Sequence, residues 1–128
     1  MATIFSRIIN GEIPSYKVAE SSKFYAFLDI NPLTKGHTLV VPKLEMDYLF
    51  DLDDDTLAEM MVFAKQVATH IKSGVECNRV AVAVIGLEVP HAHLHLIPIT
   101  TEADFNFRNP KLSLSEAEFR DIQRRISF

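Results

Sequence analysis

The chain of 128 residues has no tryptophan, one cysteine and four glycines, and its cations do not outnumber its acids. A lone Cys77 excludes an internal disulfide and a cysteine-based zinc cluster, as expected of a reducing compartment. Lys plus Arg number 13 against 17 Asp plus Glu, a formal net charge of −4 with histidine neutral. A nucleic-acid binder needs a basic surface to displace counterions, so that class is disfavoured. An anionic ligand would have to be held by a local site, not by the field of the whole chain. No apolar run approaches the ~18 residues of a membrane-spanning helix. Arg7, Asn10, Glu12 and Pro14 interrupt the segment where a leader would place its apolar stretch. A cytoplasmic protein without a membrane partner is expected.

What is present is the balance of a folded globular chain, 48% hydrophobic and 23% charged. No repeat, low-complexity tract or Gly/Ser linker divides it, so one domain over residues 1–128 is expected. Ile4, Phe5, Ile8 and Ile9 fall at helical spacing and Asn10-Gly11 closes them. Tyr16–Glu20 and Phe24–Asp29 are rich in β-formers, and Ser21-Ser22-Lys23 between them predicts a hairpin. His37–Val41 reads as a buried strand stopped by Pro42. Leu57, Met60, Met61, Ala64, Val67, Ala68 and Ile71 form one helical stripe, with Asp53 as N-cap and Gly74 as stop. The acidic run Asp51–Asp55 is better explained by that cap and first turn than by a metal site. Val80–Ile85 and His91–Ile99 read as strands, and Thr100–Pro110 as irregular. Ser115 and Glu118 spell a capping box for a last helix over about 115–127, with Phe119, Ile122 and Ile126 as its apolar face. About five strands and two or three helices in this order predict an α+β fold with a mostly antiparallel sheet.

The chemistry concentrates in His91-Ala92-His93-Leu94-His95-Leu96-Ile97, which holds three of the five histidines. On a strand, alternate residues share a face, so the three imidazoles would line one side while Ala92, Leu94 and Leu96 enter the core. Two chemistries use such a row. One is a metal site, in which His-x-His supplies two ligands and a distant residue a third. The other is imidazole catalysis at phosphorus, one ring attacking and its neighbours stabilising phosphate charge or serving a leaving group. The next acid, Glu102, lies beyond Pro98, which does not favour the first.

The row resembles the His-x-His-x-His motif of the histidine triad (HIT) family of nucleotide hydrolases and transferases. Thr3–Pro14, Phe27-Leu28-Asp29-Ile30-Asn31-Pro32, Gly36-His37 and Leu39-Val40-Val41-Pro42-Lys43 also stand in that family's order and spacing. The resemblance covers residues 3 to about 99 and is nearest to the Hint-like nucleoside phosphoramidases. It implies a HIT-like fold with a long central helix and a C-terminal helix, two subunits joining into one continuous sheet, and no cofactor. By the same resemblance His93 is the nucleophile at the α-phosphorus, forming a nucleotidyl-histidine. His91 and His95 flank it, and His37 completes the network. Asp29 holds the ribose hydroxyls, and Ile4, Phe5, Ile8, Phe27, Leu28 and Ile30 wall a purine base.

Departures from the family pattern bear on substrate. Some relatives carry a zinc-binding Cys-x-x-Cys where this chain has Thr3 and Ser6, so no structural metal is expected. In place of a polar Gly-Gln-Ser-Val before the triad stand Gly86-Leu87-Glu88-Val89. Leu87 has no donor, and an ionised Glu88 would repel phosphate. A phosphoramidase is the first reading. A dinucleoside polyphosphate hydrolase, a nucleotide-binding protein with little turnover and a metalloprotein are the alternatives.

Overall fold

The computed structural model describes residues 2–128, and Met1 lies outside them. The chain runs α1 (Ile4–Ile9), β1 (Lys17–Glu20), β2 (Phe24–Leu28), β3 (Thr38–Pro42), α2 (Asp54–Gly74), β4 (Arg79–Ala83), β5 (Leu94–Ile99) and α3 (Glu116–Ile126). Short 3-10 turns occur at Leu49–Asp51 and Glu102–Asp104. The expected α+β class holds: the five strands lie in the order β1-β2-β3-β5-β4, and every neighbouring pair is antiparallel.

Local chemistry accounts for the helix starts. Thr3 caps α1 by accepting from Ser6 N–H, and the Asp53 carboxylate accepts from Thr56 N–H at 3.1 Å at the head of α2. Ser115 and Glu118 make the reciprocal capping box expected of α3.

Alternation along the strands divides the apolar residues between two faces. Phe24, Ala26 and Leu28 of β2, Val40 of β3, and Leu94 and Leu96 of β5 pack with Met60, Phe63, Val67 and Ile71 of α2 and with Phe119, Ile122 and Ile126 of α3. Tyr25, Phe27, Leu39 and Val41 face the other way, where Phe5 of α1 joins them. The histidine site forms on this second face, so α2 and α3 support it from behind.

Two readings of the sequence need correction, and a third holds for a different physical reason. Met61 is 47% exposed, and Phe63 takes a place in the buried stripe of α2 instead. Gly74 is the stop expected of α2, but as its last helical residue, with Val75 as the cap and no left-handed φ. A Cβ on Gly74 would lie 2.7 Å from both Arg125 O and Ile126 Cγ2, so the glycine is there for the close approach of α3. Finally, β5 begins at Leu94, so His91 and His93 precede the strand. The β3–β5 ladder stops at Val40–Leu94. Beyond it Ala92 N–H bonds Met46 O at 2.6 Å, and the Pro42 carbonyl is taken by the His91 ring.

Candidate active site

Asp29, Asn31, His37, Gly86, Leu87, Glu88, Val89, His93, His95, Phe107 and Lys111 surround a cleft of about 370 Å³. The residue after β2 delivers Asp29, the residue before β3 delivers His37, the approach to β5 delivers His93, and β5 itself delivers His95. The Gly86–Val89 turn and the 105–111 loop close its sides.

Hydrogen-bond partners assign the proton on each imidazole, because several are groups that only donate or only accept. Leu33 N–H donates to His37 Nδ1 at 3.0 Å, so the neutral ring carries its hydrogen on Nε2. That Nε2 lies 3.0 Å from His95 Nδ1 and donates to it, which leaves the hydrogen of His95 on Nε2. His93 Nδ1 lies 2.7 Å from the His91 carbonyl and must donate, so His93 Nε2 keeps its lone pair. His91 Nε2 donates to the Pro42 carbonyl at 2.7 Å, and its Nδ1 accepts from the Thr3 hydroxyl at 2.7 Å. The result is one imidazole with a free lone pair, His93, beside one with a free N–H, His95; their ring centres are 5.0 Å apart. An unprotonated ring nitrogen, the form that can act as a nucleophile, and an N–H able to donate to an anion are thus adjacent.

Burial keeps these rings neutral. Desolvation, with lesser contributions from His95 and Lys111, lowers the pKa of His37 to about 3. Desolvation, then His93, lowers that of His95 to about 4. His93 is lowered mainly by desolvation, which its bond to the His91 carbonyl opposes. Asp29 is raised by desolvation, against the Asn31 N–H bond at 2.8 Å and the Lys111 charge. The 3.6 Å approach of Asp29 Oδ2 to His37 Nε2 is therefore a contact with a neutral imidazole and not an ion pair.

The other expected site residues are distributed unevenly. Phe5 lies against Phe27, His91 and His93, with ring centres 5.7, 5.7 and 4.9 Å away. Ile8 packs at the edge of that cluster, while Ile4 and Ile30 are exposed. Leu28 points to the opposite face, into the core beneath α2. Leu87 and Glu88 line the cleft, with Leu87 88% exposed, and Val89 packs against the Phe5 cluster. The sequence reading missed Phe107, whose ring stands edge-on to His95 at 5.0 Å. It also left Lys111 without a role; its Nζ donates to the Phe107 carbonyl at 2.6 Å and reaches the cleft. The only sequence signal for this wall is the Phe105-x-Phe107 pair in an otherwise irregular stretch.

Among the described residues, Asp29, His37 and His95 form one group of possible metal donors, with ligand atoms within 4.8 Å of one another. Two of those atoms, His37 Nε2 and His95 Nδ1, are hydrogen-bonded to each other, so an ion would have to displace that proton. Thr3 and Ser6 are likewise engaged, with His91 and Glu45.

Fold and site together define an antiparallel α+β protein with an imidazole cluster at the mouth of its central strands. The chain belongs to the HIT family: the family model described as "HIT domain" matches residues 10–102. It is 39% identical over 132 residues to an uncharacterized HIT-like protein of Borreliella burgdorferi, covering 97% of this chain and 95% of that one. It is 34% identical over 131 residues to adenosine 5'-monophosphoramidase hnt1 of Schizosaccharomyces pombe, covering 99% and 97%. A crystal structure of a hypothetical histidine triad nucleotide-binding protein from Sulfolobus tokodaii superposes with a TM-score of 0.84 at 33% identity, covering 95% of this chain and 87% of that one. The histidine cluster and this membership support hydrolase chemistry of the histidine-triad type.

Proposed function

We propose that the protein hydrolyses purine nucleoside 5′-phosphoramidates or closely related nucleotides through a nucleotidyl-His93 intermediate. The observation that carries this reading is the proton arrangement. His93 Nδ1 is committed to the His91 carbonyl, so Nε2 is the unprotonated nitrogen left for phosphorus. Attack forms the Nε2–P bond and breaks P–N, the amine departing with a proton; water then releases the nucleoside monophosphate and restores His93. His95, with its free Nε2–H, serves a phosphate oxygen or the leaving group. Asp29 receives the ribose hydroxyls, and the α1–β2 apolar residues receive the base. The adenosine 5'-monophosphoramidase name of the Schizosaccharomyces pombe relative supports this substrate class.

The whole chain acts as one HIT domain, and we place it in the cytoplasm as a homodimer with no nucleic-acid partner. β4 is an edge strand that exposes Val82, and Val84 and Ile85 after it are also exposed. Such an edge seeks a partner strand, and a second copy would extend the sheet. Val82→Lys is expected to shift sedimentation to the monomer.

The test of function is to mix the protein with adenosine 5′-phosphoramidate and trap the adduct. Intact-mass analysis should show one nucleotidyl group, lost in acid and mapped to His93. His93→Gly should lose turnover by about 10³-fold or more while still binding nucleotide. No adduct and undiminished turnover in His93→Gly would sink the mechanism. Faster cleavage of a diadenosine polyphosphate under the same conditions would favour the dinucleotide reading.

A further inference from the structure

We propose that Thr3, Ser6 and Glu45 form a clasp that positions His93 from outside the cleft, acting through His91. The proposal rests on the reading of His93 as nucleophile. The chain of bonds begins at Glu45, an exposed residue in the loop after β3 that does not line the cleft. Its Oε1 accepts from Thr3 N–H at 2.9 Å and from the Ser6 hydroxyl at 2.7 Å, fastening the first turn of α1 to that loop. The Thr3 hydroxyl then donates to His91 Nδ1, and the opposite nitrogen of the same ring donates to the Pro42 carbonyl, each at 2.7 Å. His91 is completely buried, so both its nitrogens depend on these two partners. Its carbonyl is the acceptor that orients His93 Nδ1.

A ring pinned at both nitrogens fixes its own backbone, and that backbone carries the carbonyl. Pro42 supplies one pin from β3, and the helix-capping Thr3 supplies the other. Thr3 is itself held only if α1 stays against the 43–47 loop, which is what the two bonds to Glu45 secure. Phe5 makes a second link from α1, edge-on to both His91 and His93. Thr3 and Glu45 are thus positioning residues: neither touches the reacting atoms, and both set the direction of the His93 lone pair.

The experiment compares Thr3→Val, which keeps shape and removes the hydroxyl, with Thr3→Ser, and Glu45→Ala with Glu45→Gln, which keeps a carbonyl acceptor. Two readouts are taken: kcat and KM for adenosine 5′-phosphoramidate, and the ¹H–¹⁵N signal of His93 Nδ1–H without substrate. Thr3→Val and Glu45→Ala should each lower kcat about tenfold, the effect of one lost hydrogen bond, and change KM by less than about twofold. Both should shift or broaden the His93 signal. Thr3→Ser and Glu45→Gln should restore most of both. Wild-type kcat and His93 signal in Thr3→Val and Glu45→Ala overturn the clasp. So does a loss that the conservative variants fail to rescue, which would mark a merely structural role. If the wild-type protein itself turns over no phosphoramidate, the proposed function fails, and the His93 signal alone decides the clasp.

Discussion

His37 takes a main-chain hydrogen from Leu33 on one nitrogen and hands a hydrogen to His95 from the other, both across 3.0 Å. The direction of the amide is thereby passed through an imidazole to a residue that faces the cleft. Removing the middle member breaks this relay. His37→Ala leaves Leu33 N–H buried without a partner and frees His95 to choose either tautomer. We expect kcat to fall by about 10–100-fold, by analogy with the hydrogen-bond partners that orient metal-bound imidazoles. Unfolding free energy should fall by about 1–3 kcal/mol for the orphaned amide alone. Steady-state kinetics and urea titration check the two parts separately.

The buried histidines also set a pH dependence. His37 and His95 titrate near 6.5 when unfolded, but folding lowers them to about 3 and about 4. Between those limits the unfolded chain binds more protons than the folded one, so stability falls as pH drops. The contribution is complete above about pH 6.5 and is lost progressively toward pH 4 and below. Melting temperatures across pH 4–8 should show this slope, and it should be shallower in His37→Ala.

Glu88 lines the cleft that the proposed function assigns to the phosphate. Its carboxylate opposes an anionic substrate by Coulomb repulsion, and the solvent-exposed turn moderates that penalty. Glu88→Gln is expected to raise kcat/KM for a nucleotide severalfold at low salt, with the gain shrinking as ionic strength rises. A gain that ignored salt would point to shape instead of charge.

Gly74 inverts the usual helix rule. An alanine in place of a helical glycine ordinarily stabilises by about 0.5–1 kcal/mol. Here the added Cβ would stand 2.7 Å from the Arg125 carbonyl and from Ile126 Cγ2. Backbone cannot rotate aside, so α3 must shift. Gly74→Ala should therefore destabilise by about 1–3 kcal/mol in chemical denaturation.

The sequence carried most of this architecture because its signals are local. Asp53, Ser115 and Glu118 announce helix starts by side chains that reach only three residues. Ala92, Leu94 and Leu96 announce the core face by alternation, and the structure buries all three. The histidine row announces the cluster. What stayed out of reach depends on contacts distant in sequence. Glu45 meets Thr3 across 42 residues, and Phe107 meets His37 across 70, in segments with no periodicity to read. The true start of β5 was hidden for the same reason. Ala92 gives its amide to Met46, a bond no pattern within His91–Ile97 encodes.

Of the groups that settle where hydrogens sit on the four clustered imidazoles, the Leu33 amide and the Pro42 and His91 carbonyls belong to the main chain. Every amino acid brings a carbonyl, and every one but proline brings an amide. Positions 33 and 42 can therefore change side chain without erasing the proton pattern, provided the backbone path survives. Residue exchange at those sites is invisible to the chemistry, whereas a shift of the loop that carries them is not. For a designer grafting this cluster onto another scaffold, the coordinates of the peptide groups at 33 and 42 matter more than the identity of the residues that bear them, whereas position 91 must keep both its carbonyl and its imidazole.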